Sequence, residues 1–340
     1  MHISLLKKIS LRIGRQLDLV QGAGGNISLK DHNTLWVKAS GYWLADADKK
    51  DMFLPLNYSG IVERISKKEK DPVSPEIIHS FEYDKLRPSI ETTLHSLMPH
   101  RIVVHVHSVN VISLAVLQNS KEVIASKLDG MNWQWIPYAR PGLPLTKEIQ
   151  KVMHFNPDIL ILANHGLVIG ADTEDAVFKL LQSVEEKMSR VKRKSHEINY
   201  YEVQSLLDVV NDYKLPKYAF CHSLAFDKIS IDLLNSGSLY PDHIIFLGSE
   251  PFPVLSKVSF LKKYSSKCTK NDDLPPFIVI KGVGVLVNKN LSNNAEEMLH
   301  CLTNVLLRIQ RGEKVNYLTK LQEAELLGWD AEKYRKLIQR

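Results

Sequence analysis

The chain has 340 residues, with 44 Lys and Arg against 38 Asp and Glu, a formal net charge of +6, 44% hydrophobic and 24% charged residues. That composition excludes a disordered or collagen-like chain, and the length allows one large domain or two of moderate size, each with a substantial core. Three cysteines (Cys221, Cys268, Cys301) are too few and too scattered for a disulfide framework, which fits a reducing cytosol. No stretch approaches the ~18 apolar residues of a transmembrane helix. The basic start, Met1 to Gln16, interrupts its apolar residues with charges, unlike a signal peptide. A cytoplasmic protein without membrane contact is expected. The basic runs Lys67-Lys68-Glu69-Lys70 and Lys192-Arg193-Lys194 have acids within or near them and no interleaved stacking aromatics. Solvated faces explain them, and no nucleic-acid partner is expected.

In chain order, Leu5, Leu6, Ile9, Ile13 and Leu17 recur at helical spacing and predict an amphipathic helix over 3–20. The breaker cluster Gly22-Ala23-Gly24-Gly25-Asn26 then leads into a predicted hairpin, Ile27–Lys30 and Leu35–Lys38, turning at Asp31–Asn33. Residues 46–72 read as polar loop. A helix is expected over Ile90–Met98 with Ser89 as N-cap. Ile102–Val106 is rich in β-branched residues and predicts a strand, followed by a helix over Val109–Leu117. Ile159–Ala163 and Leu167–Ile169 predict two strands joined at Asn164-His165-Gly166, and a long helix is expected over Thr173–Lys194. Residues 195–240 read as a connector. Beyond them, strands are expected at His243–Leu247 and Phe277–Ile280 and a helix at Asn294–Gln310. The stretch 161–168 is echoed by 279–286, with Val283 standing where His165 stands. The echo is either an internal duplication or a chance likeness of two buried hairpins. If a duplication, the chemistry belongs to residues 1–200.

The strongest chemical signal is Val103-Val104-His105-Val106-His107. Side chains alternate along a strand, so His105 and His107 point one way and can converge on a metal. A catalytic zinc needs three protein ligands and an open position, and His165 supplies a candidate third. Glu91 is an acidic partner just ahead of the strand. His-x-His alone leaves a packed or surface histidine pair open. A second signal is Gly22–Asn26, where glycines can turn backbone N–H groups toward an anion and Asn26 adds a donor. It is neither a Walker loop nor a dinucleotide fingerprint, and alone it leaves an ordinary turn open. Ser40-Gly41 and Ser89 add small hydroxyl and amide donors.

Together, Gly24-Gly25-Asn26-Ile27-Ser28, Ala39-Ser40-Gly41, Ser89-Ile90-Glu91, His105-Val106-His107, Tyr138-Ala139-Arg140-Pro141-Gly142 and Asn164-His165-Gly166-Leu167 resemble the class II aldolase/adducin family, in the family's order over roughly residues 3–195. The resemblance implies a three-layer α/β/α domain around a mainly antiparallel sheet, over 1–200, with a C-terminal α/β extension over 201–340. It implies Zn2+, or another divalent metal, on His105, His107 and His165, with Glu91 and Tyr138 catalytic. Glu91 would be the acid/base and Tyr138 would reach into a neighbouring subunit's site. It assigns the substrate phosphate to Gly25, Asn26, Ser40, Gly41 and Ser89, and implies a homo-oligomer, by family habit a tetramer. Two departures stand out: Ile90 replaces the second of two serines common before the glutamate, and Asn164 precedes His165 where many members have a second histidine.

The expected function is a zinc-dependent lyase that cleaves a sugar phosphate of the fuculose- or rhamnulose-phosphate type to dihydroxyacetone phosphate and an aldehyde. A sugar-phosphate 4-epimerase using the same metal, and a non-catalytic adducin-like scaffold, are the alternatives. Tyr240–Ile245 and Gly282-Val283-Gly284 resemble the added region of larger members, including the aldolase part of two-enzyme rhamnulose-phosphate proteins. With no nucleotide fingerprint before Arg340, no redox activity is expected.

Overall fold

The computed structural model describes residues 2–80, 83, 85–194, 198–249, 251–264 and 274–327. The chain divides into a first unit up to Ser189 and a second from Arg190 to Leu327.

The first unit opens with α1 (His2–Gly14), which buries Leu6, Ile9 and Ile13 as the helical spacing requires. The predicted hairpin follows as β1 (Asn26–Asp31) and β2 (Thr34–Lys38). Residues 46–72 are not loop: they carry β3 (Phe53–Asn57) and α2 (Tyr58–Ser66). Pro55 masked β3, because proline lacks the ladder N–H, yet an outermost strand tolerates it. Helix α2 buries Ile61 and Ile65 with Tyr58 packed beside them, and Tyr58, Ile61, Val62 and Ile65 keep the helical spacing within an otherwise polar stretch. Then come α3 (Thr92–Leu97), β4 (Ile102–Val106), α4 (Val109–Ala115), α5 (Ser120–Lys127), β5 (Trp133–Ile136), α6 (Leu143–Gln150), β6 (Ile159–Leu162), β7 (Gly166–Ala171) and α7 (Glu174–Met188). The last ends well before Lys194.

The strands form one sheet in the order β3-β2-β1-β4-β7-β6-β5. Every neighbouring pair is antiparallel except β5–β6. All five residues of β4 are buried, because helices cover both faces. Val103, Leu160, Leu162 and Val168 pack with Leu94 and Met98 of the α3 segment and Leu145 and Ile149 of α6. The alternate residues Ile102, Val104 and Val106 are fully buried, and α4 and α7 contact β7. A mainly antiparallel sheet between helical layers is the fold expected. No helix among the described residues is long and apolar enough to cross a membrane.

The second unit holds α8 (Tyr200–Leu207), β8 (Tyr213–Lys214), α9 (Lys228–Leu234), α10 (Pro241–Leu247), β9 (Val254–Leu255), α11 (Lys257–Tyr264), β10 (Phe277–Ile280), β11 (Gly284–Asn288), α12 (Asn293–Arg308) and α13 (Lys320–Leu327). The supposed connector over 195–240 therefore carries regular elements. The expected strand at His243–Leu247 is the helix α10: Pro241 at its start and Asp242 in its first turn outweigh the β-branched pair Ile244-Ile245. Cys221 and Cys301 are buried here, and Cys268 lies outside the described residues.

The second sheet runs β8-β11-β10-β9, antiparallel, antiparallel, then parallel. This matches β4-β7-β6-β5 strand for strand. Ile280 pairs with Gly284 as Leu162 pairs with Gly166, and the turns carry positive φ at equivalent places, Gly282 (70°) and Asn164 (52°). Lys214 pairs with Val287, as Val104 pairs with Ile169. In the β10–β11 turn this register puts Val283 where His165 stands. The second unit thus shares the strand arrangement with valine at the place of His165, while a different imidazole, that of His222, lies beside Gly284 and accepts from Val285 N at 3.0 Å.

Candidate metal centre

The end of β4 carries His105, then His107, after which Ser108 caps α4 by accepting from Val111 N at 3.2 Å. The third imidazole arrives from the β6–β7 turn. There the left-handed Asn164 and a bond from His165 N to Leu162 O (3.1 Å) hold the backbone. His105, His107 and His165 are all buried, and one ligand atom from each lies within 4.8 Å of the others. Their ring centroids are 4.9, 4.9 and 5.2 Å apart.

The fourth participant comes from α3. Its N-cap position is held by Glu91 rather than by Ser89. Ser89 instead stiffens the approach: its carbonyl accepts from Thr92 N, and its Oγ accepts from Glu91 N at 3.3 Å. The Glu91 Oε1 reaches 3.3 Å from His105 Nε2 and 3.5 Å from His165 Nε2.

Tautomers follow from the partners. His105 Nδ1 donates to Leu167 O at 3.0 Å, which in the neutral ring leaves the lone pair on Nε2. That Nε2 stands 3.0 Å from His107 Nε2. Two bare lone pairs do not sit so close; a proton or a cation belongs between them. Three imidazoles beside a carboxylate fit a divalent ion, with room in the ligand set for substrate oxygen.

Glycines permit this crowding. A Cβ on Gly24 would lie 3.0 Å from His107 Nδ1, and one on Gly166 only 2.5 Å from Val106 O. Gly166→Ala is expected to cost about 1–3 kcal/mol, because the clash is with backbone that cannot swing away. A thermal melt checks it, and an unshifted midpoint would contradict the packing.

Of the expected phosphate residues, Gly25 and Asn26 adjoin His105, while Ser40 and Ser89 face a cavity whose described lining includes none of the three imidazoles. Asn26 pairs across the sheet with His105. It is fully buried, its Oδ1 accepts from Ile27 N, and its Nδ2 has no hydrogen-bond partner among the described residues. Gly25 and Gly41 adopt positive φ. Ser40 and Ser89 line one cavity. Tyr138 lies just past β5 with its hydroxyl out of solvent. Sequence reasoning missed Lys38, whose buried ammonium donates to Ala23 O (3.2 Å) and Tyr42 O (2.7 Å) and so pins the glycine loop to the Ser40-Gly41 turn. A lysine facing inward at the end of a hairpin strand was the available signal.

Two buried bases nearby make stability pH-dependent. Burial lowers Lys30 to about 7, against a nearby Asp172 that raises it. His95, bonded through Nδ1 to Ser28 Oγ at 2.8 Å, is held well below 6.5 by burial and then by the charges of His105, Lys30 and Lys38. Both bind protons less well folded than unfolded, so stability falls as pH falls. The Lys30 contribution is lost between 10.5 and about 7, and the His95 contribution below 6.5. The urea midpoint should therefore drop from pH 9 to 7 and again below 6.5, and Lys30→Met should flatten the upper window. A wild-type curve flat from pH 9 to 7 would contradict the Lys30 assignment.

A helix-covered antiparallel sheet bearing three imidazoles and a carboxylate defines a class of candidate divalent-metal protein. The model of the class II aldolase and adducin N-terminal domain family matches residues 6–189. YuxG of Bacillus subtilis (strain 168), named an uncharacterized oxidoreductase, is 29% identical over 192 residues, which is 51% of this chain and 27% of YuxG. The chain thus spans about a quarter of that curated relative. Among solved structures, the N-terminal class II aldolase domain of a conserved protein from Thermoplasma acidophilum is similar at 27% identity and TM-score 0.48, covering 55% of this chain and 92% of that one. A sugar-phosphate aldolase from Thermotoga maritima is similar at 16% identity and TM-score 0.42, covering 55% and 93%. The family match takes in more than half of the sequence, and the chain belongs to the class II aldolase and adducin family.

Proposed function

We propose that this chain is a metal-dependent lyase that cleaves a ketose phosphate by retro-aldol chemistry to dihydroxyacetone phosphate and an aldehyde. The observation that carries the reading is the meeting of three imidazoles with a carboxylate within 3.5 Å of two of them. A divalent ion on His105, His107 and His165, zinc by the ligand type, would supply Lewis-acid polarisation of the substrate carbonyl and stabilise the negative charge that develops beside it.

The chain's own residues do the rest. Glu91 holds the proton that the carbon receives once the C3–C4 bond has broken, and it is aimed by Ser89 and the start of α3. Tyr138 handles the proton of the hydroxyl that becomes the aldehyde oxygen; its hydroxyl is buried within its own chain, so that role in a neighbouring copy's site within a homo-oligomer requires the segment after β5 to turn outward on assembly. Gly25, Asn26, Ser40, Gly41 and Ser89 grip the phosphate away from the reacting carbons, so that its binding energy orients them.

The test incubates the metal-loaded protein with a panel of ketose phosphates and traps dihydroxyacetone phosphate with a glycerol-phosphate dehydrogenase. Metal-dependent release supports the lyase. Inversion of a substrate carbon with nothing trapped would replace it with an epimerase, and no conversion of any member would overturn both.

A further inference from the structure

The face of β1 turned toward α3 is polar where a core strand would be apolar. Ile27 and Leu29 are buried on one face, while Asn26, Ser28 and Lys30 alternate onto the other and are buried as well. Cross-strand pairing puts Asn26 beside His105 and Ser28 beside Val103. Val103 in turn packs against Leu94 and Met98, so this face of the sheet carries both His105 and α3.

Ser28 and Lys30 are bonded to the α3 segment at different depths. Ser28 Oγ is hydrogen-bonded to His95 Nδ1 at 2.8 Å, midway along the helix. The Lys30 ammonium donates to Met98 O and, at 3.0 Å, to His100 O, just past the helix's end. His95 lies one turn beyond Glu91, its N–H donating to Glu91 O at 3.1 Å. Both side chains therefore reach the sheet from one side of the helix, Glu91 at His105 and His95 at Ser28. Apolar packing tolerates a small slide or rotation of a helix. A hydrogen bond between buried groups does not, because a shifted partner is left unpaired. His95 is also a costly residue at this place: it is fully buried, and its Nε2 has no hydrogen-bond partner among the described residues. A leucine would pack there without that cost, so stability alone gives no reason for the imidazole.

We infer that Ser28 and His95 are positioning residues for the acid/base: their buried bond fixes the advance and rotation of α3 and so holds the Glu91 carboxylate within 3.5 Å of His105 and His165. The consequence for turnover rests on the lyase reading; the consequence for where the carboxylate stands does not.

The test compares wild type with His95→Leu, the Ser28→Ala/His95→Leu double variant, and His95→Asn, whose amide presents a polar atom near the place of Nδ1. Crystal structures of the metal-free chains are read beside melting temperatures and the kinetics of the metal-loaded ones. His95→Leu strands the Ser28 hydroxyl and should lower the melting temperature, while the double variant removes both partners and should recover most of it. In that stable double variant Glu91 Oε1 is expected to leave hydrogen-bond reach of His105 Nε2, and kcat for a cleaved ketose phosphate to fall roughly 10–100-fold with KM little changed. His95→Asn should restore most of both. Combined with Glu91→Gln, the double change should lower kcat no further, because the group it positions is gone. Should the double variant not fold, Ser28→Ala alone is read in the same way. A carboxylate still within 3.5 Å of both imidazoles overturns the inference, whether or not the lyase works. A fall in kcat just as large in the Glu91→Gln background also overturns it, as the mark of a general structural effect. A displaced carboxylate in a protein whose wild type cleaves nothing leaves the positioning inference standing and removes the lyase.

Discussion

Glu91→Gln is expected to lower kcat by roughly 10²–10⁴-fold while the metal stays bound, since the change removes a transferable proton and keeps the side chain's size. The three imidazoles and their Leu167 anchor are untouched by it, and Ser89 still accepts from the backbone N–H of residue 91. Metal content and melting temperature should match wild type. A variant with unchanged kcat would show that the carboxylate is there for packing or as a metal ligand and not for proton transfer.

The second large effect is His165→Val, a change that the protein's own second hairpin has already accommodated. Val283 sits at the equivalent place in the β10–β11 turn and is only 6% exposed, so the β6–β7 turn should fold with valine there. Two imidazoles then remain where a catalytic ion needs three protein ligands. Metal affinity and turnover should both fall by more than the ~10–100-fold that accompanies loss of a partner behind a ligand. Metal analysis after gel filtration, with circular dichroism to show a folded chain, checks it. Full metal retention would take His165 out of the centre.

Much of this site could be read from the sequence because its parts are short and locally determined. Ile102–Val106 is buried on both faces, so β-branched residues fill every place but that of His105, which the alternation puts on the side of Glu91. The β6–β7 hairpin announces itself through Asn164 and Gly166, one for a left-handed backbone and one for a close approach to Val106 O. The failures have physical causes too. Strand β3 hid behind Pro55, and α2 behind the charged and polar residues that surround its short apolar stripe of Tyr58, Ile61, Val62 and Ile65. The stretch His243–Leu247 misled because β-branched residues were given more weight than the proline at its helical start. Ser89 was assigned the cap that falls to Glu91; a small hydroxyl ahead of a helix satisfies the rule equally well two residues too early.

The family assignment and the register of the second sheet bear on the same point. Val283 occupies the place of His165 in the second unit, and among the described residues one cluster alone could hold a metal. A chain with two similar sheets is therefore expected to load a single ion.

Metal analysis of the purified, reloaded protein beside its His105→Ala variant asks the decisive question. About one divalent ion per wild-type chain and next to none in a folded variant is the predicted result. An ion content that His105→Ala does not alter, or a wild-type chain that takes up no ion at all, would contradict the centre on which the lyase reading depends.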